Sequence, residues 1–134
     1  MKRRNFIFNS ALAALGAIFL SGCNTKNNAD KQTEYQDSDG KQISMYIYEP
    51  TGICASSIEI AIDENNIIHH VNIVDGCPGN TLGICKLVKN KPAEDIIKTL
   101  KGTECSRRNN GTSCPDQLAR ALEEVISKQK ASSV

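Results

Sequence analysis

The chain has 134 residues, room for one ordinary domain and a little more, and a net charge of +1. That length excludes a large enzyme barrel or a two-domain dehydrogenase. The charge leaves no footprint for nucleic acid, and 4% aromatic residues with no Trp leave no stacking platform for bases or sugars. What stands out is 6 cysteines, so thiol chemistry is where the sequence is informative.

Lys2, Arg3 and Arg4 form a basic start. Ala11 to Leu20 is an apolar run of signal-peptide length, too short to span a bilayer. Leu20-Ser21-Gly22-Cys23 resembles the lipobox of bacterial lipoproteins, where the Cys thiol is acylated and the chain is cut just before it. Residues 1–22 are therefore expected to be a lipoprotein signal peptide and Cys23 the lipidation site. The protein would be exported and anchored to a membrane rather than spanning it. Arg3-Arg4-Asn5-Phe6-Ile7 also resembles a twin-arginine export signal, with Lys2 where that family has Ser or Thr. The removable stretch carries only positive charges, so the remainder is slightly acidic. Residues 23–42 follow as the lipidated Cys and a polar stretch that cannot bury enough surface to offset its ordering, and they read as a flexible tether.

The folded domain is expected over residues 43–128, with a short tail at 129–134. Ser44 to Tyr48 is β-prone and stops at Pro50. Ser57 to Ile62 alternates with Ile58, Ile60 and Ile62 on one face, Asp63 to Asn66 is turn chemistry, and Ile67 to Val74 completes a hairpin. A first helix is expected after Pro78-Gly79 with Asn80 as N-cap, carrying Ile84, Leu87 and Val88. A second has Pro92 near its start, Gly102 beyond its end, and Ala93, Ile96, Ile97 and Leu100 at i, i+3, i+4, i+7. A third runs from about Ser113 to Lys128, with Leu118, Ala121, Leu122, Val125 and Ile126 as its buried stripe and Ser113 with Asp116 as a capping box. The expected fold is α+β: a small three-stranded antiparallel sheet followed by three helices, β-β-β-α-α-α.

With Cys23 set aside, Cys54, Cys77, Cys85, Cys105 and Cys114 remain, an odd set that cannot pair completely within one chain. Cys54 sits in a loop between strands. Cys77 and Cys114 each precede Pro at the mouth of an expected helix, where the dipole and free N–H groups favour thiolate, the form that binds metal or attacks. Cys105 lies just before Arg107 and Arg108, which push the same way and make an anion-friendly loop, though a solvated loop explains them too. Cys85 lies inside the first helix and reads as a small apolar filler. Four loop or helix-mouth cysteines at one end of a sheet suit a tetrahedral thiolate site, but no C-x-x-C is present. Structural disulfides or inert buried thiols fit the spacing as well. His69 shares parity with Ile67, Val71 and Ile73, so it is expected to face the core; neither it nor His70 reads as a ligand.

Thr112-Ser113-Cys114-Pro115-Asp116, followed by Gln117 to Leu122, resembles the motif that names the TSCPD domain family. Pro50-Thr-Gly-Ile-Cys54, Gly76-Cys77-Pro-Gly-Asn80, Gly83-Ile84 with Leu87-Val88, and Leu100 to Cys105 agree with it. The resemblance covers residues 44 to 127 and puts the family's four recurrent cysteines on Cys54, Cys77, Cys105 and Cys114. Cys85 stands where the family has Ser or another small residue. The family's domain also closes adenosylcobalamin-dependent ribonucleotide reductases, so its stand-alone members are often labelled ribonucleoside-diphosphate reductase. A chain of this size lacks room for that catalytic barrel, and nucleotide reduction for DNA synthesis is cytoplasmic, which strains the label beside a lipoprotein signal. A nucleotide or reductase partner is implied by the resemblance alone. The layout is also similar to iron–sulfur cluster scaffold proteins, although Ser56 stands where that family has an acid.

The resulting expectation is a non-catalytic thiolate module holding zinc or an iron–sulfur cluster through Cys54, Cys77, Cys105 and Cys114. Its rivals are a thiol/disulfide redox or reductase accessory protein, and a disulfide-stapled exported domain that binds a partner.

Overall fold

Alternating isoleucines make the centre of the sheet. The computed structural model describes residues 33–133; the segment expected to be a signal peptide, Cys23, the stretch up to residue 32 and Val134 lie outside the described residues. Strands β1 (Thr33–Gln36), β2 (Gln42–Tyr48), β3 (Ser57–Ile62) and β4 (Ile68–Val74) form one antiparallel sheet in the order β1-β2-β3-β4. Helices α1 (Pro78–Val88), α2 (Ala93–Leu100) and α3 (Cys114–Ser132) follow. The architecture is α+β, a sheet and then three helices, as expected.

The sheet has four strands, not three, and the extra one lies in the stretch expected to be tether. Thr33–Gln36 is polar, so periodicity cannot reveal it; its partners hold it instead. The Gln42 amide donates to Glu34 at 2.7 Å, and the turn into β2 closes through Gly40 N–H to the Asp37 carbonyl at 2.9 Å. Tyr35 stacks on His70 with ring centroids 4.9 Å apart. His69 lies between two carboxylates, Asp37 and Asp63, each 3.0 Å from one of its ring nitrogens.

His69 therefore does not face the core, as its parity had suggested. The β3–β4 register pairs Ile62 with Ile68 and Ala61 with His70, which leaves His69 as the extra residue of a bulge. The bulge resets the alternation, so Ile68, Val71 and Ile73 are buried while His69 and His70 are only half-buried.

Helix α3 covers the helix-side face of the sheet. Ile58, Ile60, Ile62, Ile68, Leu118 and Leu122 are fully buried, and Ala121, Val125 and Ile126 complete the expected stripe. Each such side chain contributes about 1.5–3 kcal/mol of burial. Helix α3 runs on through Ser132, past the expected end at Lys128, and Gln129 donates to the Ile62 carbonyl at 3.4 Å. Helix α2 packs on α3, and α1 packs on β4.

Helix α1 begins at Pro78 with Cys77, not Asn80, at its N-cap. Proline has no N–H to satisfy and its fixed φ suits a first turn, so the helix starts earlier than the Asn signal suggests. The Cys77 carbonyl accepts from both the Thr81 N–H and the Thr81 hydroxyl at 2.9 Å. Val88 is buried, but Leu87, expected inside, is 75% exposed.

Candidate functional site

Three connections meet at the end of the sheet where β3 starts and β4 finishes. The β2–β3 loop carries Cys54, the β4–α1 turn carries Cys77, and the α2–α3 loop carries Cys105 and leads into Cys114, the first residue of α3. Short polar ties fix these loops to one another. Ser56 donates from its N–H to the Val74 carbonyl at 3.0 Å and from its hydroxyl to Asp75 at 2.7 Å, joining the Cys54 loop to the Cys77 turn. The Asn110 amide donates to the Gly52 carbonyl at 2.6 Å, joining the Cys54 loop to the Cys105 loop. Gly76 admits no side chain, because a Cβ there would collide with the Thr81 methyl.

The start of α3 is the brace for all of this. Ser113 accepts from the Asp116 N–H at 3.2 Å and donates to the Thr103 carbonyl at 2.6 Å. Asp116 is 1% exposed. Its carboxylate does not return to the cap, as a full capping box requires; it takes the Gly102 N–H at 2.8 Å, the Thr112 hydroxyl at 2.7 Å and Arg120 Nε at 2.9 Å. Burial opposes its charge, but these three donors hold the carboxyl below its usual pKa. Gln117 donates to Thr112 at 2.9 Å and accepts from Thr51 N–H at 3.2 Å and the Tyr48 hydroxyl at 3.3 Å. Thr112, Asp116 and Gln117 thus clamp the cysteine loops from inside the motif. Sequence reasoning read Asp116 only as a cap and missed the other two; the cue was Gln117, four residues before Ala121 and so in line with the buried stripe.

Cys54, Cys77, Cys105 and Cys114 line one cavity of about 280 Å³, with Asn80 and Arg108 at its wall. Cys54 and Cys77 are exposed, Cys105 is half-buried and Cys114 is buried, so the cavity has an open mouth and a closed floor. The Cys54 and Cys77 sulfurs are 3.9 Å apart. Among the described residues, no three His, Cys, Asp or Glu side chains stand together as a ready-made ion cage. The thiols share a cavity that an ion would have to draw closed.

The electrostatics differ across the group. Burial works against the Cys54 thiolate, but hydrogen bonds from the Cys77 and Cys114 thiols and from backbone N–H groups hold that thiol below its ordinary pKa. Cys114 goes the other way, against the expectation for a helix mouth. Burial, then the charge of Cys54 and a hydrogen bond to it, then the charges of Cys77 and Cys105, push it up to about 11. The helix dipole loses there because Cys114 is buried and faces three other sulfurs.

Arg108 reaches the cavity wall, whereas His69 lies at the far end of the sheet beside Asp63. A larger cleft of about 550 Å³, between β2 and the end of α3, carries no thiol. Cys85 lies apart from the four, half-buried in a groove between α1 and β4, and burial raises its pKa against hydrogen bonds from the backbone of Ile73 and of Cys85 itself. Cys85→Ala should therefore cost on the order of 1 kcal/mol in urea denaturation. It should leave the reactivity of the other four thiols toward an aromatic disulfide reagent unchanged. A change in that reactivity would place Cys85 in their group.

The family model described as TSCPD domain matches residues 33–126. No curated protein and no solved structure matches the chain.

Proposed function

Given that this chain belongs to the TSCPD domain family, we propose that it is a thiolate metal-binding module in which Cys54, Cys77, Cys105 and Cys114 hold zinc or an iron–sulfur cluster. The observation that carries this reading is the convergence of four cysteines, from three separate connections, on one cavity. Their sulfur chemistry fits the group. The 3.9 Å between Cys54 and Cys77 is near the edge of about 3.8 Å expected when sulfurs sit about 2.3 Å from a tetrahedral ion. The mutual opposition of thiolates at Cys114 is what a bound cation relieves. When bound, zinc would supply a rigid cross-link between loops, and a cluster would add one-electron chemistry. The residues' own work is to present sulfur: Cys114 from the floor, Cys54 and Cys77 at the mouth, and Cys105 between them on the α2–α3 loop.

Metal and acid-labile sulfide analysis of the chain purified without oxygen tests the reading. About one zinc, or iron with matching sulfide, per chain supports it. The closeness of two exposed thiols also favours a second reading, in which Cys54 and Cys77 cycle as a disulfide; a metal-free chain with two thiols that a mild oxidant removes together would replace the first reading with this one.

The reading includes export and anchoring through Cys23, and a reductase relation that rests on the family resemblance. Cys23→Ala should move the protein from the membrane pellet to the soluble fraction while leaving its fold intact. Retention in the pellet would refute the anchor at Cys23.

A further inference from the structure

Helix α1 and its flanks carry a charge pattern that the cysteine cavity does not use. Residues 76–92 contain three lysines, Lys86, Lys89 and Lys91, and no Asp or Glu, in a chain whose remainder is slightly acidic. Lys86 and Lys89 form no ion pair among the described residues. Beside them runs a groove of about 330 Å³ between α1 and the outer edge of β4, lined by Val71, Ile73, Leu82, Cys85, Lys86 and Lys89. Leu82 is 57% exposed at its rim.

The wall of this groove is an edge strand. Among the described residues, β4 pairs with β3 on one side and with no strand on the other. Its lower end is covered, since Ile68 N–H donates to the Lys91 carbonyl at 3.0 Å and accepts Asn90 N–H on its own carbonyl at 2.7 Å. Its upper end meets Cys85 at Ile73. Between them the edge at Val71 faces the groove. An edge left open at one residue beside an apolar recess can take main-chain bonds from an extended segment there.

We propose that this groove docks an extended, acidic segment of a protein partner with alternating apolar residues, its main chain paired to the β4 edge at Val71. Main-chain bonds at Val71 would supply affinity, apolar side chains would enter beside Leu82 and Cys85, and carboxylates would meet Lys86 and Lys89. A second copy of this chain does not fit, because it would set Lys86 and Lys89 against their own kind. A bilayer does not fit either, because a flat surface cannot enter a recess. The inference does not rest on a metal in the cysteine cavity.

The test uses the full chain and a fluorescent peptide of about eight residues alternating Glu and Val, with a Lys–Val peptide as control. Anisotropy should show saturable binding of the acidic peptide alone. The Lys86→Glu/Lys89→Glu double variant and Leu82→Asp should each weaken it at least about tenfold, with circular dichroism unchanged. Leu87→Asp, on an exposed residue outside the groove, should leave it unchanged. Peptide binding should also slow amide exchange at Val71. Failure of the acidic peptide to bind, equal binding of both peptides, or indifference to the double variant overturns the proposal. So does a pattern in which only phosphatidylglycerol vesicles bind in a way the double variant abolishes, which assigns the face to lipid instead.

Discussion

Asp116→Ala should destabilise the domain by about 2 kcal/mol, seen as a fall in the urea midpoint with little change in slope. The size follows from what the carboxylate leaves behind. The side chain is 1% exposed, and its removal takes the acceptor from the Gly102 N–H and the Thr112 hydroxyl and frees the Thr112–Gln117 clamp. Stranding the buried Thr112 donor costs about 1–3 kcal/mol, whereas Gly102 is exposed and its N–H regains water. Arg120 is 52% exposed and regains water, so Arg120→Ala should cost under about 1 kcal/mol. Asp116→Asn keeps one acceptor and should fall between the two. The pH dependence has a fixed sign. The folded pKa lies below the ordinary 3.8, so the ionised group's contribution is fully present above that value and is lost as pH falls through the folded pKa. Wild type should therefore lose part of its advantage over Asp116→Asn below about pH 4. Equal stability of wild type and Asp116→Ala at pH 7 would refute the clamp.

What the residues disclosed in advance were features that one element settles by itself. The isoleucines of β3 and the stripe of α3 announce their faces through period alone, and they are the core. Features that depend on a distant partner were not legible. β1 is four polar residues whose strand character comes from pairing with β2 and from Tyr35 reaching His70. The bulge that turns His69 away from the core depends on register with β3, and no local pattern encodes register. At the site, the separation of Cys85 from the other cysteines followed from its helix position. The Asp116 clamp did not, because Gly102 becomes its partner only when α2 lies on α3. The same reason explains Cys114: its helix-mouth position is local, whereas the burial and opposing sulfurs that raise its pKa are not.

Cys77→Ser and Cys114→Ser should each abolish metal binding and lower the melting temperature by on the order of 15 °C. Cys77 caps α1 and Cys114 opens α3, so an ion held by both would lock two helices to the Cys54 loop at the end of the sheet. Only the folded chain brings those sulfurs together, so binding energy is folding energy; ion at a thousandfold above its Kd adds about 4 kcal/mol. A chelator should lower the melting temperature of wild type to that of the variants and leave the variants where they are. The raised pKa of Cys114 gives the comparison a second arm. In the chelated wild type, burial and the neighbouring sulfurs oppose thiolate formation there, so its alkylation should be slow at pH 7 and quicken as pH rises toward about 11. The Cys54→Ser change removes the first of those opposing charges, so in it the Cys114 thiol should titrate lower. A metal-free wild type with Cys77 or Cys114 in stable disulfides would end the metal reading and make the cysteines staples of an exported domain.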